Sequence, residues 1–165
     1  MEKINSKKYW NDQFNSKIVS MMKARQTMFF ANIAIKLLPE WLVKDILENK
    51  LSICDLGCGT GSCTKLLSEK FKESKVIGLD FAQSAIQIAQ NQYPEVDFSC
   101  KSLEEVNSSY DIIFSSNTLE HFENPFNELK KCFLILKSIL FYYCLLKSSK
   151  DIKNTYIPFC IPVSP

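Results

Sequence analysis

Three of the chain's four glycines, Gly57, Gly59 and Gly61, fall within five residues. They follow an apolar run at 51–56 and precede a stretch with helical periodicity. Glycine adopts positive φ angles and lets a ligand approach the backbone closely. A helix that begins after such a loop presents free N–H groups to an anionic group. The string D-L-G-C-G-T-G, from Asp55 to Gly61, therefore predicts a ligand-binding loop rather than a simple tight turn.

Strand and helix patterns alternate around this loop. Short apolar runs predict five strands, at 51–56, 76–79, 96–99, 110–115 and 139–146. Helical periodicity predicts helices at 64–71, 83–92 and 125–136, and an N-terminal helical extension before them. This order predicts an α/β fold with a Rossmann-like, doubly wound, mostly parallel sheet and helices on both faces. Ligands of such sheets bind beyond the carboxyl ends of the strands.

Composition narrows the class of protein. The 165 residues suit one domain, and 46% of them are hydrophobic. Twenty basic and 18 acidic residues give a net charge of +2, which provides no general field for nucleic acid or for a membrane surface. The seven cysteines are odd in number and form no C-x-x-C pair. This pattern favours free thiols in a reducing cytoplasm and predicts no metal site.

The spacing of the loop discriminates between ligands. A dinucleotide fingerprint, G-x-G-x-x-G, requires a third glycine at position 62, where this chain has Ser62. A carboxylate at Asp55 would repel a pyrophosphate, whereas it suits a ligand that carries an ammonium group and a sulfonium cation. The loop therefore disfavours a nicotinamide-dependent oxidoreductase.

Three motifs together resemble the class I S-adenosylmethionine-dependent methyltransferases that act on small molecules. D-L-G-C-G-T-G looks like motif I of that family, and V-I-G-L-D-F ends the second strand at the position of its ribose-binding acid, Asp80. The third motif is S-S-N-T-L-E-H-F-E-N-P, at 115–125. The motifs occur in the family's order and spacing. The resemblance covers about nine tenths of the chain.

The resemblance implies a set of S-adenosylmethionine-binding residues. They are Asp55, Gly57, Cys58, Gly59, Thr60, Gly61, Asp80, Phe81, Ser102, Leu103 and Asn117. The loop holds the methionine part, Asp80 holds the ribose and Phe81 packs on the adenine. Ser102 and Leu103 lie where the family reads the adenine edge, although an acid that is common there is replaced by Ser102 or Lys101.

Two further residues are candidates for a general base. His121 is the only histidine of the chain and follows Glu120. The ordinary pKa of histidine suits proton abstraction near neutral pH. A base is required only if the acceptor must lose a proton. The alternative for His121 is a structural position at a turn.

The resemblance also implies a division of the chain. Residues 1–50 form a helical segment that serves as a substrate lid, and residues 51–146 form the cofactor-binding domain. Residues 147–165 form an irregular tail, because three prolines in its last eight residues argue against interior strands. Since the family's complete fold has seven strands, the chain resembles a C-terminally truncated member. An exposed sheet edge would then be covered by a homodimer or another partner.

The function expected from the resemblance is cytoplasmic methyl transfer from S-adenosylmethionine to a small-molecule or glycan-precursor acceptor. A second interpretation is an inactive or partner-dependent cofactor-binding remnant. The third is the disfavoured nicotinamide-dependent oxidoreductase.

Overall fold

A computed structural model describes residues 5–146 and 155–162 of the chain. Its helices are α1 (Lys7–Asn15), α2 (Lys17–Lys36), α3 (Glu40–Asn49), α4 (Ser62–Lys70), α5 (Gln83–Gln92) and α6 (Pro125–Ile135). Its strands are β1 (Ile53–Leu56), β2 (Val76–Asp80), β3 (Asp97–Cys100), β4 (Tyr110–Ser116), β5 (Leu136–Leu146) and β6 (Thr155–Pro162). Across these two ranges, no helix is long and apolar enough to cross a membrane.

The strands form one sheet in the order β3-β2-β1-β4-β5-β6. The first five are parallel, and β6 pairs antiparallel with β5. This arrangement confirms the predicted Rossmann-like, doubly wound fold with five parallel strands. The chain runs outward from β1 to β3 and then crosses to β4 on the other side of β1. The strand order therefore reverses between β1 and β4, which is where sheets of this type bind ligands.

Hydrophobic cores lie on both faces of the sheet, because neighbouring strand residues point to opposite faces. One core packs α2, α3 and α4 against Ile53 and Phe114. The other packs α6 against Cys54 and Ile113. A third, small cluster joins Phe14 of α1 to the start of α5. Helices therefore cover both faces of the strand ends that carry the predicted site.

Local sequence signals define several helix ends. Asn124 accepts a hydrogen bond from the backbone N–H of Asn127 at 3.1 Å, and Pro125 takes the first position of α6. A side-chain cap followed by proline is a strong start signal. Helix α5 runs from Gln83 to Gln92 as predicted, because the following Tyr93-Pro94 pair disfavours further helix.

The prediction of an irregular tail over 147–165 is wrong for 155–162, which form β6. Residues 147–154 and 163–165 lie outside the described residues. Strand β6 is the last strand of the sheet, and proline is tolerated in an edge strand, where one row of N–H groups needs no partner. The edge of β5 that we expected to be exposed is therefore paired with β6.

Candidate functional site

Three predicted site residues meet at the carboxyl ends of the central strands. Asp55 lies near the end of β1 and pairs in register with Gly78 of β2. Asp80 ends β2, and Asn117 follows β4 directly. These positions flank the reversal of strand order. The structure thus brings together polar residues that lie up to 62 positions apart in the sequence.

The loop at 57–61 adopts a backbone conformation that favours glycine. The φ angles of Gly57, Gly59 and Gly61 are +75°, +53° and +83°. The N–H groups of Gly57 and Cys58 both donate to the carbonyl oxygen of Leu79, at 2.8 and 3.0 Å. The loop is therefore fixed to the end of β2.

Two of the loop glycines also permit close packing. A Cβ atom at Gly57 would overlap the side chain of Thr118. A Cβ atom at Gly61 would lie 2.6 Å from the ring of Phe98. Both positions therefore exclude larger residues by space as well as by backbone angle.

Asp55 is a buried carboxylate, with 2% of its surface exposed. Its Oδ2 accepts a hydrogen bond from the Thr64 hydroxyl at 2.6 Å. Burial, together with the negative charge of Asp80, raises the pKa of Asp55 from 3.8 to about 7, although the Thr64 bond opposes this shift. A buried carboxylate of this kind binds a cationic group favourably, because the ligand supplies the missing opposite charge.

Asp80 connects the glycine loop to the start of α5. Its Oδ2 accepts from the Gly59 N–H at 2.9 Å, and its Oδ1 accepts from the Ala82 N–H at 2.8 Å. Burial raises the pKa of Asp80, and these backbone hydrogen bonds lower it. Each carboxylate oxygen has a second lone pair, so Asp80 can still accept hydrogen bonds from ligand hydroxyls.

Asn117 has two unusual features. Its φ angle is +53°, in the left-handed region that asparagine tolerates better than most residues. Its buried Oδ1 atom finds no hydrogen-bond partner among the residues that the structure describes. Such orphaned acceptors are rare in folded proteins and often mark ligand sites. The two carboxylates, the glycine loop and this acceptor fit a ligand that carries both an ammonium group and hydroxyls.

Helix α1 packs beside the loop. The Ser84 N–H and hydroxyl both donate to Asn11 Oδ1 at 2.9 Å, which joins α1 to α5. The nearest atom to a Cβ built at Gly59 is 3.6 Å away, in the Phe14 ring. The N-terminal segment therefore contacts the predicted ligand loop directly.

His121 lies in a short 3₁₀ turn, Leu119–His121, that directly follows Thr118. Its side chain is exposed, and its ring meets the Trp10 ring edge-on with centroids 4.9 Å apart. The Asn5 side-chain amide donates to the His121 carbonyl at 2.6 Å. The backbone of Glu120 belongs to the same turn, and its side chain lies outside the described structure.

The remaining predicted residues differ in whether their side chains are accessible to a ligand. Cys58 and Thr60 are each 2% exposed, so only their backbone can contact a ligand. Phe81 is half-buried directly after β2. Ser102 caps the 3₁₀ turn at Leu103–Glu105, where its N–H donates to Glu105 at 2.7 Å. The side chain of Leu103 packs on the second core.

The buried cysteines of the site are free thiols. Cys54, Cys58 and Cys63 form no disulfide, and burial raises the pKa of each thiol well above its ordinary value. Protonated thiols of this kind are chemically inert. In the part of the chain that the structure describes, no group of three or more potential metal ligands occurs.

Several site residues were not predicted from the sequence. Thr64, Thr118 and Gly78 contact the loop or its carboxylate, and Trp10, Asn11 and Phe14 approach from α1. Thr64 offered a local signal, since it stands in the first turn of the helix that follows the loop. The others are brought to the site only by tertiary packing.

Comparison with known proteins identifies the family. A sequence profile described as a methyltransferase domain matches residues 53–138, about half of the chain. The malonyl-[acyl-carrier protein] O-methyltransferase of Acetivibrio thermocellus is 34% identical over 95 residues, which are 55% of this chain and 34% of that protein. The mitochondrial ubiquinone biosynthesis O-methyltransferase of Saccharomyces cerevisiae is 30% identical over 102 residues, 56% of this chain and 33% of that protein. The chain spans about a third of the length of these relatives.

Solved structures share the fold. Magnesium protoporphyrin IX methyltransferase from Synechocystis PCC 6803, with bound SAH, superposes with a TM-score of 0.63. The match covers 87% of this chain and 74% of that one, at 19% sequence identity. At this level of identity, the likeness concerns the fold. The profile match over 53–138 shows that this chain belongs to the methyltransferase domain family.

Proposed function

We propose that the chain binds S-adenosylmethionine at the glycine loop and transfers its methyl group to a small-molecule or glycan-precursor acceptor. One observation carries the proposal. Two buried carboxylates, Asp55 and Asp80, flank a glycine loop at the reversal of strand order, in a chain of the methyltransferase domain family. Several solved structures with the same fold contain SAM or SAH.

Each part of the site has a role in holding this cofactor. Asp55 binds the ammonium of the methionine part, beside the backbone of Gly57 to Gly61. Asp80 accepts hydrogen bonds from the ribose hydroxyls, and Phe81 packs on the adenine. Ser102 and Leu103 contribute through their backbone at the adenine edge, because their side chains already cap a turn and pack on the core. Asn117 faces the reacting end.

Methyl transfer makes modest demands on the protein. S-adenosylmethionine supplies a methyl group that its sulfonium already activates. The protein's task is to hold the acceptor in line with that methyl group and to exclude water, and positioning of this kind supplies much of the rate acceleration of a displacement. Helix α1 performs the lid role expected for residues 1–50, through Phe14 beside the loop and Asn11 on α5.

A proton must leave when the acceptor is a hydroxyl, a protonated amine or a carbon that carries hydrogen. The position of His121 in the turn after Thr118, with its ring edge-on to that of Trp10, supports this role. Glu120 is the second candidate. A carboxylate acceptor would need neither residue. Substitution of His121 by Gln therefore separates the two acceptor types, because only the first loses activity at neutral pH.

The acceptor class is drawn from the relatives. Their names include a malonyl-[acyl-carrier protein] methyltransferase, a ubiquinone biosynthesis enzyme and a magnesium protoporphyrin IX methyltransferase. The acceptors in these names differ from one another, although both sequence relatives are named as O-methyltransferases. The shared part is the cofactor half of the site, so the acceptor of this chain is defined by its own N-terminal helices.

Calorimetric titration with S-adenosylhomocysteine tests the proposal. We expect saturable binding, and we expect Asp80→Asn to weaken it about tenfold or more, since a hydrogen bond to a charged group contributes about 1.5–3 kcal/mol. Asp97→Asn removes a charge from an exposed residue of β3 and serves as the matched control. A folded wild-type chain that shows no binding would contradict the proposal. Release of S-adenosylhomocysteine from S-adenosylmethionine across a panel of acceptors then identifies the substrate.

We also propose a cytoplasmic location and a homodimer or partner protein. The five cysteines whose side chains the structure describes are free thiols, which favours a reducing compartment. Phe126 and Leu134 of α6 are 74% and 84% exposed, and apolar side chains of this size are often covered in an assembly. Sedimentation velocity over a range of concentrations tests the homodimer, and a monomer at every concentration argues against it.

A further inference from the structure

Thr64 contacts the charged centre of the site from the first turn of α4. Its hydroxyl donates to Asp55 Oδ2 at 2.6 Å. The Thr64 side chain has no exposed surface and Asp55 has only 2%, so neither group exchanges this bond for water. A short hydrogen bond between a hydroxyl and a carboxylate, away from water, favours the ionised form of the acid.

Gly78 makes room for this hydroxyl. It lies in the interior of β2, opposite Asp55, and it does not have a positive φ angle. Its backbone therefore does not require glycine, and glycine weakens a strand. A Cβ atom at this position would lie 2.7 Å from Thr64 Oγ1, 2.7 Å from the Phe98 ring and 2.9 Å from Cys58 Sγ. The Thr64 hydroxyl therefore occupies the space that a side chain at position 78 would need.

The surroundings of Asp55 otherwise oppose its ionisation. The titratable groups that face it are Cys54 on β1, Cys58 in the loop, Cys63 on α4 and Asp80 on β2. The Cys63 thiol favours the carboxylate through a hydrogen bond, whereas the charge of Asp80 disfavours it. Among the described residues, no ion pair joins Asp55 to a basic side chain.

We propose that Thr64 is a positioning residue for cofactor binding, whose hydroxyl favours the ionised form of Asp55 and orients it toward the cofactor's ammonium group, and that Gly78 is glycine in order to admit that hydroxyl. The proposal rests on the proposed function, because it takes the ammonium as the ligand of Asp55. When a protonated site binds, Asp55 loses its proton to solvent and the carboxylate pairs with the ammonium. Binding is thus coupled to release of a proton.

The test is the affinity for S-adenosylhomocysteine between pH 6 and 8.5, in wild type, Thr64→Val and Thr64→Ser. The wild-type affinity should rise with pH and level off above about 7. Removal of the hydroxyl in Thr64→Val should move this midpoint upward by about one pH unit, which weakens binding about tenfold at pH 6 and little at pH 8.5. Thr64→Ser should keep the wild-type profile.

Two controls separate positioning from general damage. The ligand 5′-methylthioadenosine keeps the nucleoside and thioether but lacks the ammonium, so its affinity should be the same in wild type and Thr64→Val at every pH. Ser68→Ala removes a hydroxyl one turn further along α4, where it donates to the Lys65 carbonyl at 2.8 Å, and should not move the midpoint. Calorimetry in two buffers of different ionisation enthalpy should show proton release by wild type at pH 6.

The possible results distinguish a failure of the Thr64 proposal from a failure of the proposed function. An unchanged midpoint in Thr64→Val, or equal loss of both ligands at every pH, overturns the proposal and leaves the proposed function intact. If Thr64→Val does not fold, Gly78→Ala provides the second variant, because it displaces the same hydroxyl and should give the same upward shift. A wild-type chain that binds neither ligand contradicts the proposed function, and the role of Thr64 falls with it.

Discussion

At the residue scale, ionisation of the buried Asp55 carboxyl lowers the stability of the folded chain. Its pKa is about 7 in the folded chain, against an ordinary value of 3.8. Between these values the folded chain holds a proton that the unfolded chain has lost. Stability therefore decreases as the pH rises through this window, and the loss is complete above pH 7. A cationic ligand restores it by pairing with the carboxylate.

Substitution of Asp55 by Asn tests this account. Asparagine keeps an oxygen for the Thr64 hydroxyl and carries no charge. We expect the variant to exceed wild type in free energy of unfolding by about 1–3 kcal/mol at pH 8, because a buried charge without a partner is destabilising. The difference should vanish toward pH 4. Urea denaturation over this pH range measures it, and a difference that does not depend on pH would contradict the account.

Substitution of the loop glycines by alanine should lower stability by different amounts. At Gly57, a Cβ atom would overlap Thr118, and the φ angle is +75°. At Gly59, φ is +53°, but the nearest atom to a Cβ is 3.6 Å away. We therefore expect Gly57→Ala to cost about 3 kcal/mol and Gly59→Ala about 1 kcal/mol. Thermal unfolding of the two variants provides the comparison, and equal losses would show that backbone angle alone matters.

At the scale of elements, α1 contacts α5 through a small interface. Ser84 donates two hydrogen bonds to Asn11 Oδ1, and Phe14 packs on the start of α5. Small interfaces of this kind open locally. This is the property that a lid over a binding site requires.

Asn11→Ala should release α1 without unfolding the domain. We expect the local opening free energy of α1 to fall by about 1–2 kcal/mol, since both hydrogen bonds from Ser84 to Asn11 Oδ1 are lost, while the Ser84 hydroxyl keeps the Asn11 carbonyl as an acceptor. Asn32→Ala is the matched control, because Asn32 donates to Met28 within its own helix, at 2.8 Å, and is exposed. Amide hydrogen exchange of α1 against α5 measures the effect. Unchanged protection of α1 in Asn11→Ala would show that the helix is held by other contacts.

The helices and strands also show which parts of the fold can be predicted from local sequence. The parallel strands and α5 were predictable, because buried apolar runs and the Tyr93-Pro94 pair act within a few residues. Strand β6 was not predictable from the sequence. Proline disfavours interior strands, and only the order of the strands in the sheet shows that β6 lies at an edge, where proline is tolerated. The same limit applies to the site. Asp55 and Asp80 stand in local motifs, whereas the fit of Gly78 to Thr64 exists only after β2 packs on α4.

At the scale of the whole molecule, the match to the family profile covers only part of the chain. The match to the family profile covers 53–138, which includes the glycine loop, both carboxylates and the turn at 119–121. Helices α1 to α3 and strand β6 lie outside it. The proposed cofactor-binding residues from Asp55 to Asn117 therefore all lie within the matched range, whereas the proposed lid helices lie outside it.

Because the chain contains only four glycines, NMR spectroscopy can test directly where the cofactor binds. Backbone amides of glycine resonate in a separate region of a ¹⁵N correlation spectrum, and only four are present, of which Gly57, Gly59 and Gly61 line the proposed site. Titration with S-adenosylhomocysteine should shift all three of these signals together, with smaller changes at Gly78 inside β2. If saturable binding is detected by calorimetry while the three loop signals stay fixed, the ligand binds elsewhere and the assignment of the site is wrong.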